Sequence, residues 1–271
     1  MSAAGGWSTI ELLVTVKAYP NPSRTQSEAA CIAGISREGE FIRLYPVPFR
    51  DLEGAQKFQK YHWIRVRVSS PRKDPRPETR RPDFSAIEIV SPEPLSTKYA
   101  WRERRDAVLP LRAHSLCDIQ DAQRASGTSL GLFQPAEILD FEYTHEENPD
   151  WTPEERARLE AQDFFMTRER ELLEKIPYKF HYVFRCHDCR NQNPHRLKIV
   201  DWELAQLFRT MREQAASIEE CLSKVRDKWL GEICGDDKDT HFFVGNTLAH
   251  GNTFLVLGAF WPPKEKQLPL L

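Results

Sequence analysis

A chain of 271 residues with Lys+Arg 38 against Asp+Glu 40 can bury a sizeable core, and its net charge of −2 excludes a strongly basic polyanion binder. No apolar run approaches the roughly 20 residues that span a bilayer, and the N-terminus MSAAGGWST lacks the basic start and apolar stretch of a secretion signal. Six cysteines in a chain this long do not make a disulfide scaffold, so the expected setting is reduced and cytoplasmic, with no membrane partner.

Taken in order, Glu11 to Tyr19 reads as a strand with Leu12, Val14 and Val16 inward and Leu13, Thr15, Lys17 and Tyr19 outward. A polar loop, PNPSRTQSE, leads to Ala29–Ile35, which is apolar throughout and reads as a strand buried on both sides or at a barrel centre. REGE then turns the chain into FIRLY, as a Gly-containing hairpin loop does. Side chains alternate along a strand, so Phe41, Arg43 and Tyr45 share one face while Ile42 and Leu44 share the other. In WIRVRV the same rule sets Trp63, Arg65 and Arg67 against Ile64, Val66 and Val68.

The aliphatic faces make a core. The opposite faces collect rings and guanidinium groups, and Lys17 and Tyr19 join them if the strands are neighbours. Rings stack on bases and cations track phosphates; the plainer alternative is that Tyr45 and Trp63 cap the sheet edge while the arginines keep it solvated. Proline cannot donate to a sheet ladder, so Ser69 to Asp83, with Pro71, Pro75, Pro77 and Pro82, reads as an exposed basic loop carrying Arg72, Lys73 and Arg76. The candidate nucleic-acid-binding residues are therefore Lys17, Tyr19, Arg43, Tyr45, Trp63, Arg65, Arg67, Arg72, Lys73 and Arg76, with single-stranded DNA or RNA as the partner. Basic residues outnumber acidic ones from Lys60 to Arg112 and the balance reverses from Glu137 to Glu174, an asymmetry that steers a polyanion to one region.

Phe84–Val90 reads as a short strand and TKYAWRERR as a short basic helix, followed by a β-rich piece ending in SLGLFQPAEILDFEY. A composition shift at Asn148 divides the chain into 1–147 and 148–271. Thr152, Pro153 and Glu155 form a capping box that opens an acidic helix over 152–175. Lys179–Arg185 is a strand. Asp201 caps a helix with Leu204, Leu207, Phe208 and Met211 on one side; Ser217 and Glu220 open its partner, with Ile218, Leu222, Val225 and Trp229, and Gly231 as the stop. HFFVGN and TFLVLGAF form a closing hairpin, and the GNTLAHGN loop between them, with Asn246, His250 and Asn252, is a ligand loop or a plain turn. The fold class is α+β: a small N-terminal β-barrel half, then an α+β half with a helix pair and a closing β-hairpin.

CIAGI followed by GEFIRL resembles the opening of the small prokaryotic proteins that carry dual OB-fold domains, over roughly the first third of the chain. SLGLFQPAEILDF would belong to the second barrel of such a pair. The resemblance implies an OB-like barrel and a nucleic-acid-binding role, and it brings no catalytic residues.

Cys186-x2-Cys189 with His195 supplies three zinc-type ligands, and a structural site takes four. His181, His187, Cys221 and Cys234 are the candidates for the last; without a metal, the cysteines are small buried residues at a turn. An alternative function is a metal-dependent nuclease or nucleotide hydrolase centred on Cys186–Glu203, with His195, Lys198, Asp201 and Glu203 as its polar groups. A third is an interaction module in which the acidic helix docks a basic protein partner.

Overall fold

A computed structural model of the chain describes residues 6–22, 28–52, 56–71, 73–160 and 171–265. The first six strands are β1 (Ser8–Lys17), β2 (Asn21–Pro22), β3 (Glu28–Ser36), β4 (Phe41–Val47), β5 (Trp63–Ser69) and β6 (Thr79–Ile89). Their order, β1-β5-β6-β4-β3, closes because β1 also pairs with β3, giving a five-stranded barrel with β2 appended to β3. β4 and β6 run parallel, and the other barrel pairs are antiparallel. This barrel is compatible with an OB-like fold.

Alternation fills the barrel as the pattern requires: Leu12, Val14, Ile32, Ile42, Leu44, Ile64, Val66 and Val68 meet in one aliphatic core. β3 is buried on both sides, with Ala30 and Ile32 facing that core and Ala33 and Ile35 facing the C-terminal half. A register shift between Val14 and Val16 turns Val16 away from the barrel, beside Leu13, so one of the three residues expected inside packs outside. The basic loop is also shorter than expected. β6 begins at Thr79 and continues through Pro82, which lies beyond the last residue paired with β4, so nothing on that side needs its missing N–H.

Beyond the barrel come α1 (Lys98–Val108), β7 (Arg112–Ala113), α2 (Leu116–Ser126), β8 (Leu130–Phe133), β9 (Pro135–His145), α3 (Pro153–Glu160), β10 (Tyr178–Cys186) and β11 (His195–Lys198). α4 (Trp202–Gln214), α5 (Ile218–Arg226), β12 (His241–Thr247) and β13 (His250–Phe260) complete the chain. β11-β10-β9 form a three-stranded sheet and β13-β12-β8-β7 a four-stranded one, both ending in hairpins. The strands on either side of Asn148, β9 and β10, pair with each other. None of the described helices is long and apolar enough to cross a membrane.

Capping chemistry behaves as the residues dictate. Thr152 Oγ1 accepts from Glu155 N while Glu155 accepts from Thr152 N, and Ser217 Oγ accepts from Glu220 N. The acidic helix does not reach 175 as expected: α3 is described over Pro153–Glu160, 171–176 is not helical, and 161–170 lies outside the described residues. Gly231 does not stop α5, because a π-type turn carries the chain through it from Asp227 to Glu232. The helix α2 falls where a β-rich piece was expected.

Two buried polar networks join the halves. Arg43, only 2% exposed, donates to Ser129 Oγ (2.6 Å), Ser129 O (2.9 Å) and Thr79 Oγ1 (3.3 Å), while Glu78 accepts from Ser129 N (2.8 Å) and Ser129 Oγ (2.6 Å). Lys60 donates to both oxygens of Asp201 (3.0 and 2.8 Å) and to Glu203 Oε2 (3.0 Å). Burial works against the Lys60 charge, but the two carboxylates outweigh it and hold the ammonium above its usual value. Burial pushes Asp201 up to about 6, while the twin contacts from Lys60 and a hydrogen bond from Glu203 N (2.8 Å) keep it ionised at neutral pH.

Candidate metal centre

The Cys186–His195 segment is a hairpin whose ends are fixed by sheet pairing. Cys186 closes β10, His195 opens β11, and Phe184 pairs directly with His195 across the ladder. The connecting turn brings Cys189 back towards both, with Asp188 in the left-handed region at φ 47°. Cys189 Sγ lies 3.2 Å and Cys186 Sγ 3.3 Å from His195 Nε2.

The fourth group is Cys117, which none of the expected candidates anticipated. It sits in the first turn of α2, whose start is set by Ser115, the cap that accepts from Asp118 N at 3.2 Å, and whose end is set by Gly127 at φ 77°. α2 lies close to the sheet because Gly131 has no side chain; a Cβ there would be 2.6 Å from Ile119 Cδ1. Cys117 Sγ is then 3.8 Å from Cys186 Sγ and 3.9 Å from His195 Nε2. Arg190 pairs with Asp121 of α2, and His114 Nε2, just before α2, lies 2.7 Å from Asp188 Oδ2, so an ion pair and a hydrogen bond also hold the turn in place.

All four ligand atoms lie within 4.8 Å of one another. A tetrahedral ion with bonds of about 2.3 Å to sulfur and 2.0–2.1 Å to nitrogen needs sulfurs about 3.8 Å apart and sulfur and nitrogen about 3.6 Å apart. The observed spacings bracket those values, so the Cys117, Cys186, Cys189 and His195 group is arranged to hold a metal ion. The other expected fourth ligands have different surroundings. His181 is buried in β10, His187 packs on His114, Cys221 faces Phe208 O and Cys234 faces Trp229 O.

Protonation fits the same use. Burial lowers the His195 pKa and keeps the imidazole neutral, which is its ligating form. Burial pushes the Cys186 thiol up to about 12, whereas at Cys189 burial is outweighed by the Asn191 backbone N–H and neighbouring thiols, and its pKa falls. A cation among the sulfurs would favour thiolate at every position. Asn191 Nδ2 lies 3.3 Å from His195 Nδ1; with the carboxamide turned over so that its oxygen accepts there, Nδ1 carries the proton and Nε2 is left free to face the sulfurs as a ligand.

A family model described as a domain of unknown function (DUF8757) matches residues 112–270. The chain belongs to the DUF8757 family. All four ligands lie inside that match, and a second model, also a domain of unknown function (DUF8758), matches residues 8–110, which contain the barrel. The DUF8757 description carries no activity, and no curated protein matches the chain.

The ten residues expected to contact nucleic acid do not form one surface. Trp63, Arg65 and Arg67 do share the outer face of β5, where Arg65 pairs with Glu11 and Glu88 and Arg67 with Asp83. Arg43 is removed from it, because β8 and β12 cover that side of β4. Lys17 lies over the Phe49 ring (4.5 Å), and the Tyr19 hydroxyl donates to Glu174 O (2.7 Å), so both turn towards α4. Tyr45 and Lys73 are exposed, Arg76 is held by Asp74 and Asn246 O, and Arg72 lies outside the described residues. Three residues not singled out complete the β5 face: Arg37, 3.6 Å from the Trp63 ring centroid; Trp7, with Arg67 at 5.5 Å; and Arg81, opposite Ser69.

The polar groups of the hydrolase alternative also part company. His195 faces the thiols, Lys198 pairs with Glu146, and Asp201 and Glu203 are bound to Lys60. In the GNTLAHGN loop, Asn246 Nδ2 donates to Gly251 O at 2.6 Å, a contact that serves the hairpin itself.

Proposed function

We propose that this DUF8757 protein binds single-stranded DNA or RNA on the outer face of β1, β5 and β6, and that zinc held by Cys117, Cys186, Cys189 and His195 stabilises its C-terminal half. The observation that carries the first part is one outward face with Arg37, Arg65, Arg67 and Arg81 beside Trp7 and Trp63. Indoles stack bases of any sequence and guanidinium groups follow the phosphates. The ion pairs on this face lie at the surface, where water and salt weaken them, so phosphates can displace the carboxylates.

Zinc is favoured because three thiolates and an imidazole in tetrahedral spacing suit it better than harder cations. Four protein ligands leave no open position for a reactive water, which supports a structural ion over a hydrolytic one.

Binding of a single-stranded oligonucleotide, titrated with salt, tests the first part. Affinity should fall with a slope of about −0.7 per phosphate contact on the logarithmic plot. Changing Arg65, Arg67 and Arg81 together to Ala should weaken binding at least ~10-fold and flatten the slope by about 2. Unchanged binding would retire the reading. Elemental analysis tests the second part: about one zinc per chain is expected, and a folded, metal-free preparation would overturn it.

A further inference from the structure

We infer that a cavity between the end of β1, the start of α4 and the β9–β10 connection binds a single-ring aromatic anion, of which a pyrimidine nucleoside monophosphate is the nucleic-acid form. The cavity measures about 130 Å³ and is lined by four rings, Tyr19, Trp151, Tyr178 and Phe180. An engineered cavity of about 150 Å³ accommodates benzene, so this open-mouthed space is wide enough for one six-membered ring, with any larger group projecting outwards.

The rings are held in place without a ligand. The Tyr19 hydroxyl donates to Glu174 O (2.7 Å) and Trp151 Nε1 to Leu173 O (2.6 Å), while Phe180 stacks on Phe141 at 5.6 Å. Flat walls that are already fixed favour a flat guest, because little ordering remains to oppose binding. Its edge would meet the Asn21 carboxamide, whose hydrogen bond to Tyr19 O is a long 3.5 Å.

The charge of the guest follows from the lysines. Lys175 lies 5.1 Å over the Trp151 ring and donates to a neutral carbonyl, Asp150 O. The lining carboxylate Glu146 is shared by Lys179 (2.7 Å) and Lys198 (3.5 Å). The other lining carboxylate, Asp201, is already matched to Lys60. Among the described residues that line the cavity, Lys175 and Lys198 stand against one carboxylate not matched elsewhere, Glu146, while Glu155 acts on Lys175 only from outside the lining; that balance suits a phosphate or carboxylate on the ring. This site shares no residue with the β1–β5–β6 face and does not depend on the reading of that face.

Calorimetric titration of the intact protein with uridine and cytidine monophosphates, 4-hydroxybenzoate, adenosine monophosphate and ribose 5-phosphate tests the inference. At least one single-ring aromatic anion should bind, adenosine monophosphate at least tenfold more weakly, and ribose 5-phosphate not at all. The preferred ligand separates a nucleotide site from one for aromatic carboxylates. Ala205→Leu, which fills the cavity from α4, should abolish binding at an unchanged melting temperature, and Lys175→Gln should weaken it several-fold. The combined Arg65, Arg67 and Arg81 variant should bind the same ligands as the parent. Loss of binding in that variant would overturn the inference, as would no binding by any single-ring anion, equal binding of ribose 5-phosphate or the purine, or full affinity in both Ala205→Leu and Lys175→Gln.

Discussion

In the barrel every strand of the ring finds hydrogen-bonding neighbours on both sides, and the interior is aliphatic: Leu12, Val14, Ile32, Leu44, Ile64 and Val66. In the C-terminal half two small open sheets meet over rings, with Phe133, Phe141, Tyr182, Phe184, Trp229 and Phe242 at the centre. A closed sheet has no edge to secure. Two open sheets and the helix beside them need something more, and the proposed zinc on the Cys₃His group would supply it by tying α2 to the β10–β11 hairpin.

Removing the proposed zinc should separate the two regions most sharply. Structural zinc contributes about 10–16 kcal/mol of apparent binding free energy in zinc-finger peptides, so a chelator should cost the larger C-terminal half several kcal/mol. Hydrogen exchange should show protection lost first in β10, β11 and α2, with β1, β3 and β5 still protected. Simultaneous loss in both regions would mean that the barrel depends on the metal-bearing half.

The junction comes next. Lys60→Met leaves Asp201 buried without its cation, and breaking a buried pair this way costs about 3–5 kcal/mol. Denaturant unfolding would measure it. A loss below about 1 kcal/mol would show that water reaches Asp201 and that the Arg43 network and apolar contacts hold the halves together without this pair.

Acid should act on the C-terminal half before the barrel. Burial, followed by the Arg196 and Lys198 charges, lowers His181 to about 4 from an ordinary value of 6.5. The unfolded chain therefore takes up this proton first, so the stabilisation is complete above about pH 6.5 and drains away as pH falls towards 4. At pH 5 the loss is about 2 kcal/mol. His181→Gln should make the unfolding free energy less dependent on pH between 7 and 5, and an unchanged dependence would assign the effect to other groups.

The smallest effect belongs to the outer face. Arg65→Ala and Arg67→Ala break only surface pairs and should each leave the denaturant midpoint almost unchanged. A clear fall would make this face a structural device and remove it as a free binding surface.

Strand alternation and helix caps act over a few residues, and they were legible in the chain. The aliphatic lining of the barrel, the two-sided burial of β3, the caps at Thr152, Asp201 and Ser217, and the shared face of Trp63, Arg65 and Arg67 all follow from spacing alone. The start of α2 was written in equally local terms, Ser115 three residues before Asp118 and Gly127 at the far end, and that signal would have placed Cys117 on a helix.

Its partnership with Cys186, 69 residues away, was not written there, because no local rule says which elements pack together. Arg43 makes the same point. Alternation turns it out of the barrel, and whether that meant solvent or burial depended on β8 and β12 arriving to cover it. Chain-local sterics and hydrogen bonding chose each residue's side; long-range packing chose what stood opposite, and so assembled the Cys₃His group and divided the cationic face.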